Sequence, residues 1–148
     1  MKTVAEIRKL LNELIEVTSS PVYMLGIEIL EHLEACPQQK YITVGGLRAA
    51  LSRKIDDDSL LIQAAFTLTS YPFEALVVRY KLYDEDLYDV LEEFDHITYM
   101  KVISDGRFID SEGDEYHIDT FQSRTYPYFI NNFAKKRDRR NIIMREGE

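Results

Sequence analysis

The stretch from Leu76 to Tyr83 constrains the fold most, because Leu76, Val78, Tyr80 and Leu82 alternate with Val77, Arg79, Lys81 and Tyr83. Side chains point to opposite faces along a strand, so this period of two predicts a β-strand with one apolar and one mixed face. An apolar sheet face needs a covering layer. The N-terminal third has the pattern to supply it. Thr3 and Glu6 have capping-box spacing, and Val4, Ile7, Leu10, Leu11, Leu14 and Ile15 recur at three and four residues, which predicts a first helix. Ser20 and Pro21 open a second helix that runs to about Ala35 and stops before Pro37. Its apolar set, including Leu25, Ile29 and Leu33, is wide enough to be contacted on two sides.

Lys40 to Val44 reads as a short strand, Gly45-Gly46 as a bend, and Leu47, Ala50 and Leu51 as the face of a short helix. Asp56, Asp57, Asp58 and Ser59 offer N-caps for a helix through about Ser70, closed by Tyr71-Pro72. Beyond the long strand, Asp84 is expected to cap a helix carrying Leu87, Tyr88, Leu91 and Phe94 on one stripe. Strands are expected to resume at Ile97, with turns at 104–106 and 111–114, so residues 97 to 119 read as a small antiparallel meander. A last helix is predicted from near Thr125, with Pro127 early and Phe129, Ile130 and Phe133 as its stripe. Residues 135 to 148 are expected to form a basic, exposed tail.

Residues 21 to 83, in the order helix, short strand, helix, turn, helix, long strand, resemble a winged-helix domain in element order and length. The fold class expected is therefore α+β: a winged-helix-like helical core with a small antiparallel meander and extra N- and C-terminal helices, in one domain over residues 1 to 134. The resemblance implies that the helix at about 57 to 70 meets base edges in the major groove. Asp56, Asp57 and Asp58 would then face a polyanion. Arg48, Arg53 and Lys54 on the preceding helix are the residues left to touch a DNA backbone.

Charge is partitioned along the chain. The whole has a formal charge of −8 over 148 residues, yet residues 84 to 119 alone hold 13 acids against Lys101 and Arg107. The tail from Lys135 has six bases and three acids. Carboxylates gathered on one side attract a basic protein surface and speed its encounter. Tyrosine among such charges supplies contact area at small entropic cost. The expected function is non-enzymatic protein–protein interaction, as an adaptor subunit or an inhibitor or immunity-type protein. Asp86, Asp89, Glu92, Glu93 and Asp95 would steer the partner, with Tyr83, Tyr88 and Tyr99 as anchors. The alternative is a DNA-binding regulator that uses Arg48, Arg53 and Lys54.

Catalytic and metal chemistry finds little footing. His32 and Cys36 share a helical face, but the thiol falls at the C-terminal end, where the helix dipole opposes a thiolate. Asp110 to Glu115 lack the spacing of a calcium loop, His96 and His117 fit no zinc pattern, and Gly45-Gly46 is not a phosphate loop. No cofactor and no metal is expected. One cysteine, and no run of about 20 apolar residues, suit a single globular domain in a reducing cytoplasm without a membrane partner.

Overall fold

A computed structural model describes residues 2–135. Helix α1 (Val4–Val17) starts in the expected capping box: the Glu6 amide donates to Thr3 Oγ1 at 3.2 Å and the Thr3 amide to Glu6 Oε1 at 3.3 Å. Helix α2 (Pro21–Ala35) starts after Ser20, which accepts from the Val22 amide. Its buried Leu25, Ile29, Leu30 and Leu33 form a broad apolar surface, and it packs against both α1 and α4 (Asp58–Thr69). Strand β1 is only Tyr41–Ile42, and α3 (Val44–Ala50) begins where a bend was expected. Thr43 Oγ1 accepts from the Gly46 amide at 3.0 Å, so both glycines lie inside the first turn of α3. A 3₁₀ turn at Ile55–Asp57 leads into α4, which buries Leu61, Ala64, Ala65 and Leu68.

Strand β2 (Leu76–Tyr83) has the bounds its alternation predicts, with Leu76, Val78, Tyr80 and Leu82 buried. Three later expectations are corrected. The acidic helix after Asp84 is instead a hairpin: residues 84–89 turn and β3 (Val90–Asp95) runs back along β2. Asp84 does cap, but it caps a turn. Its Oδ1 accepts from the Tyr88 amide at 2.8 Å, its amide donates to the Asp89 carbonyl, and Leu87 takes a φ of +58° that no helix allows. Pairing with β2, and burial of Phe94 against Tyr80, outweighs the local helical spacing.

The second correction is at Ile97, where α5 (His96–Asp105) replaces the expected strand. Asp95 Oδ1 accepts from the Thr98 amide at 2.8 Å to start it, and Gly106 at φ +76° ends it. The remainder of the meander is a short hairpin, β4 (Arg107–Ile109) with β5 (Glu115–His117), followed by α6 (Ile118–Arg124). Third, the expected C-terminal helix from Thr125 is strand β6 (Thr125–Asn131), and it lies inside the sheet.

The architecture is α+β. The main sheet runs β1-β6-β2-β3, antiparallel throughout, and β4-β5 stands apart as a second, two-stranded sheet. Pro127 is tolerated in β6 because β1 pairs only with residues 129 and 130, leaving that side of β6 free of a ladder at Pro127. One hydrophobic cluster joins α1 to α4, the inner face of the sheet and the aromatic residues of the 84–124 excursion. No helix among the described residues is long and apolar enough to cross a membrane.

Candidate functional site

The acidic region is an excursion between β2 and β6 that begins at the end of β3's hairpin. β3 is the last strand of the sheet order. Glu92 Oε1 accepts from the Ser111 amide at 2.7 Å, which brings the 110–114 loop alongside β3 and gathers two acidic turns into one lobe. Within that loop Asp110 Oδ1 accepts from the Glu112 and Asp114 amides, while Oδ2 accepts from the Tyr116 hydroxyl. Burial, then this carboxylate, raises the Tyr116 hydroxyl above its ordinary pKa.

Besides Glu92, which holds the 110–114 loop, the predicted contact residues separate into three groups. Asp86, Asp89 and Tyr88 stand at the hairpin tip, where Tyr88 is 85 % exposed. No hydrogen bond or ion pair engages the side chains of Glu85, Asp86 or Asp89 among the described residues. Glu93, Asp95 and Tyr83 belong to the outer sheet face. There Glu93 Oε1 accepts from the Tyr128 hydroxyl at 2.8 Å, Lys81 lies 4.7 Å over the Tyr128 ring, and Tyr83 meets Tyr126 edge to face. Hydrogen bonds from the Thr98 amide and side chain hold the Asp95 carboxyl below its ordinary pKa. The third group is Tyr99, which stacks on Tyr80 with ring centroids 3.9 Å apart and packs against Phe121. It is a packing residue. Phe94 is likewise buried.

Sequence reasoning missed the apolar part of the tip. Leu87, Val90 and Leu91 are 47 %, 43 % and 45 % exposed beside Tyr88. Placed on a helix stripe, Leu87 and Leu91 would point to the core; the hairpin turns them outward. The signal was present in four apolar residues within five positions flanked by Glu85, Asp86, Asp89 and Glu92.

The two arginines of the alternative site are engaged within the fold. Arg48 forks onto Asp58 at 2.8 and 2.9 Å and Arg53 pairs with Glu28, whereas at Lys54 it is the backbone amide that donates to Asp57. Arg48 and Asp58 also line a cleft of 450 Å³ with Thr43, Lys81, Tyr126 and Tyr128, yet they are bonded to each other. His32 Nδ1 and Cys36 Sγ do approach, at 3.7 Å, at the C-terminal end of α2. His96 Nδ1 meets the Tyr80 hydroxyl at 2.8 Å, while His117 caps α6 through the Asp119 amide. Each histidine thus has its own structural partner. Among the described residues no group of three or more His, Cys, Asp or Glu is arranged to hold a metal ion. No family model, curated protein or solved structure matches this chain.

Proposed function

We propose that the protein is a non-enzymatic binding module, an adaptor subunit or an inhibitor or immunity-type protein, that takes a basic protein partner on the tip of its 84–119 lobe. One observation carries the reading: an exposed apolar centre, Leu87, Tyr88, Val90 and Leu91, is rimmed by the unengaged carboxylates of Glu85, Asp86 and Asp89. An apolar centre within a charged rim is the anatomy of a protein interface, in which the rim speeds encounter and the centre supplies affinity. The single Cys36 suits work in a reducing cytoplasm. Affinity capture with mass-spectrometric identification should recover a basic partner. Asp86→Lys with Asp89→Lys should slow its association, and Tyr88→Ala should weaken binding by about thirtyfold, the scale of an interface hot spot of about 2 kcal/mol. Unchanged binding by both variants would move the interface elsewhere.

The DNA-binding reading ranks second. It is supported by the order α2, β1, α3, α4, β2 and by the pairing of β1 and β2 on either side of β6, an arrangement consistent with a winged helix whose wing is lengthened by residues 84–124. Against it stand the ion pairs that occupy Arg48 and Arg53. A gel-shift series at low salt tests it: retention of duplex fragments that fades steeply as salt rises, and weakens in Arg48→Ala, is the outcome it requires.

A further inference from the structure

Where β1 ends, the sheet leaves the cleft of 450 Å³ against α3 and α4, whose lining includes Arg48, Asp58, Lys81, Tyr83, Tyr126 and Pro127. That volume falls in the range of about 300–1,000 Å³ in which small molecules bind. Its aromatic wall is held in place. Tyr126 is 47 % exposed, its hydroxyl donates to the Ser123 carbonyl at 3.3 Å, and the Tyr83 ring braces it at 5.9 Å and 71°. A planar ring can stack on such a wall without first having to order it.

Positive charge stands beside that ring. Lys81 is opposite Tyr126 in the β2–β6 ladder, which sets their Cβ atoms about 5 Å apart. Its ammonium lies 4.7 Å over the Tyr128 ring, and no carboxylate pairs with it among the described residues. Glu93, its neighbour across β3, takes the Tyr128 hydroxyl. Arg48 gives Nε and Nη2 to the two oxygens of Asp58, so that carboxylate is engaged while the Arg48 Nη1 group makes no bond among the described residues. The charged lining, Arg48 and Lys81 against Asp58, is thus net positive in a chain of formal charge −8. A backbone acceptor completes the set. The Asn131 amide donates to the Lys40 carbonyl, and alternate residues of a strand turn their main chain to the same neighbour. The Pro127 carbonyl therefore points to the β1 side, where β1 has already ended with Ile42 opposite Phe129.

We propose that this cleft binds a nucleotide, with the base on Tyr126, its ring amine toward the Pro127 carbonyl and its phosphate on Lys81 and Arg48. The three features together select that class. A sugar phosphate lacks the ring, a simple aromatic carboxylate lacks the donor at the ring edge, and a basic segment of the kind expected at the 84–91 tip would meet two cations here. The inference is independent of the interface reading.

Titration of the isotope-labelled full chain with AMP, followed by amide NMR shifts, tests it. Saturable shifts should centre on Tyr83, Tyr126 and Arg48. Adenosine, which lacks the phosphate, and ribose phosphate, which lacks the base, should each bind at least tenfold more weakly, and the AMP analogue without its ring amine should also bind more weakly. Lys81→Met should bring AMP down to the affinity of adenosine, and Tyr126→Ala to that of ribose phosphate, whereas Lys101→Met, at an exposed position of α5, should change nothing. A hexa-adenylate arm identifies the source of the unit: affinity within about tenfold of AMP marks a free nucleotide, and a larger gain marks a single strand. Absence of saturable shifts up to the solubility of AMP, shifts that centre elsewhere, ribose phosphate or adenosine binding as tightly as AMP, or AMP affinity unchanged by Lys81→Met overturns the proposal. The comparison of ligands on wild type keeps the test decisive even where a variant fails to fold.

Discussion

At Tyr80 the alternation of one strand meets the packing of the whole excursion. The side chain is 3 % exposed, its ring stacks on Tyr99, and its hydroxyl meets His96 Nδ1. Burial first, and the nearby Tyr99 second, push its hydroxyl up to about 12 from an ordinary value of 10.0. A proton held more tightly in the folded state than in the unfolded one stabilises the fold below the unfolded pKa. That stabilisation is lost as pH rises from about 10 through about 12. Two pH units correspond to about 2–3 kcal/mol. Urea unfolding of wild type and Tyr80→Phe between pH 9 and 12 should therefore show a shallower alkaline decline in the variant. Burial also raises the Tyr116 and Tyr128 hydroxyls, so some decline should remain. Equal slopes in the two proteins would mean that Tyr80 ionises as freely as in the unfolded chain. At the acid end the sign reverses. The depressed Asp95 carboxyl contributes stability above its unfolded pKa that fades as pH falls through the folded value, and Asp95→Asn should flatten that limb.

At the scale of elements, Phe121 shows what holds the excursion to the sheet. It is fully buried, with ring centroids of Phe94 and Phe108 at 5.6 and 5.2 Å. Phe121→Ala should cost about 3–5 kcal/mol, the range for truncating a buried aromatic, read as a lower urea midpoint at unchanged slope. A loss below about 1 kcal/mol would mean that α6 contributes little to the core. None of this packing was legible in the sequence, whereas α1, α2, α4 and β2 were, and the difference has a physical cause. Helices capped by Thr3 and Ser20, and a strand with an uninterrupted period of two, carry their instructions within a few residues. In residues 84–131 the β4–β5 hairpin around the 111–114 turn follows from its local signals, while elsewhere those signals mark the capping chemistry but not the element it serves. Asp84 and Asp95 both cap amides, but one closes a hairpin and the other starts a helix. The 125–131 segment, rich in aromatic and β-branched residues, is a strand because β1 and β2 both need it, and pairing across that sequence distance leaves no local mark. The acids of the proposed interface were legible because charge is additive along the chain; its apolar centre was not, because facing depends on the element.

For the whole molecule the question is whether the acidic excursion is a separable lobe or part of one cooperative unit. Its charge sets it apart, with 13 of the chain's 26 acids in residues 84 to 119. Its packing does not. Phe94, Phe108, Phe121, Val102 and Tyr99 join the same hydrophobic cluster as Ile29, Leu61 and Phe129, and β6, which follows the excursion, lies between β1 and β2 in the sheet. Loosening residues 84–124 therefore frees the chain on both sides of the β2–β6 pairing. Two cooperative units would need two cores, and there is one. Unfolding is accordingly predicted to be a single transition in which far-UV dichroism, dominated by the helices, and near-UV signals, which in a chain without Trp report mainly on tyrosines such as Tyr80 and Tyr99, trace the same curve. Phe121→Ala should shift both curves together. If the near-UV signal were lost at lower urea while helical dichroism stayed, the excursion would be a unit of its own. The stability of the hairpin tip would then be independent of the four N-terminal helices.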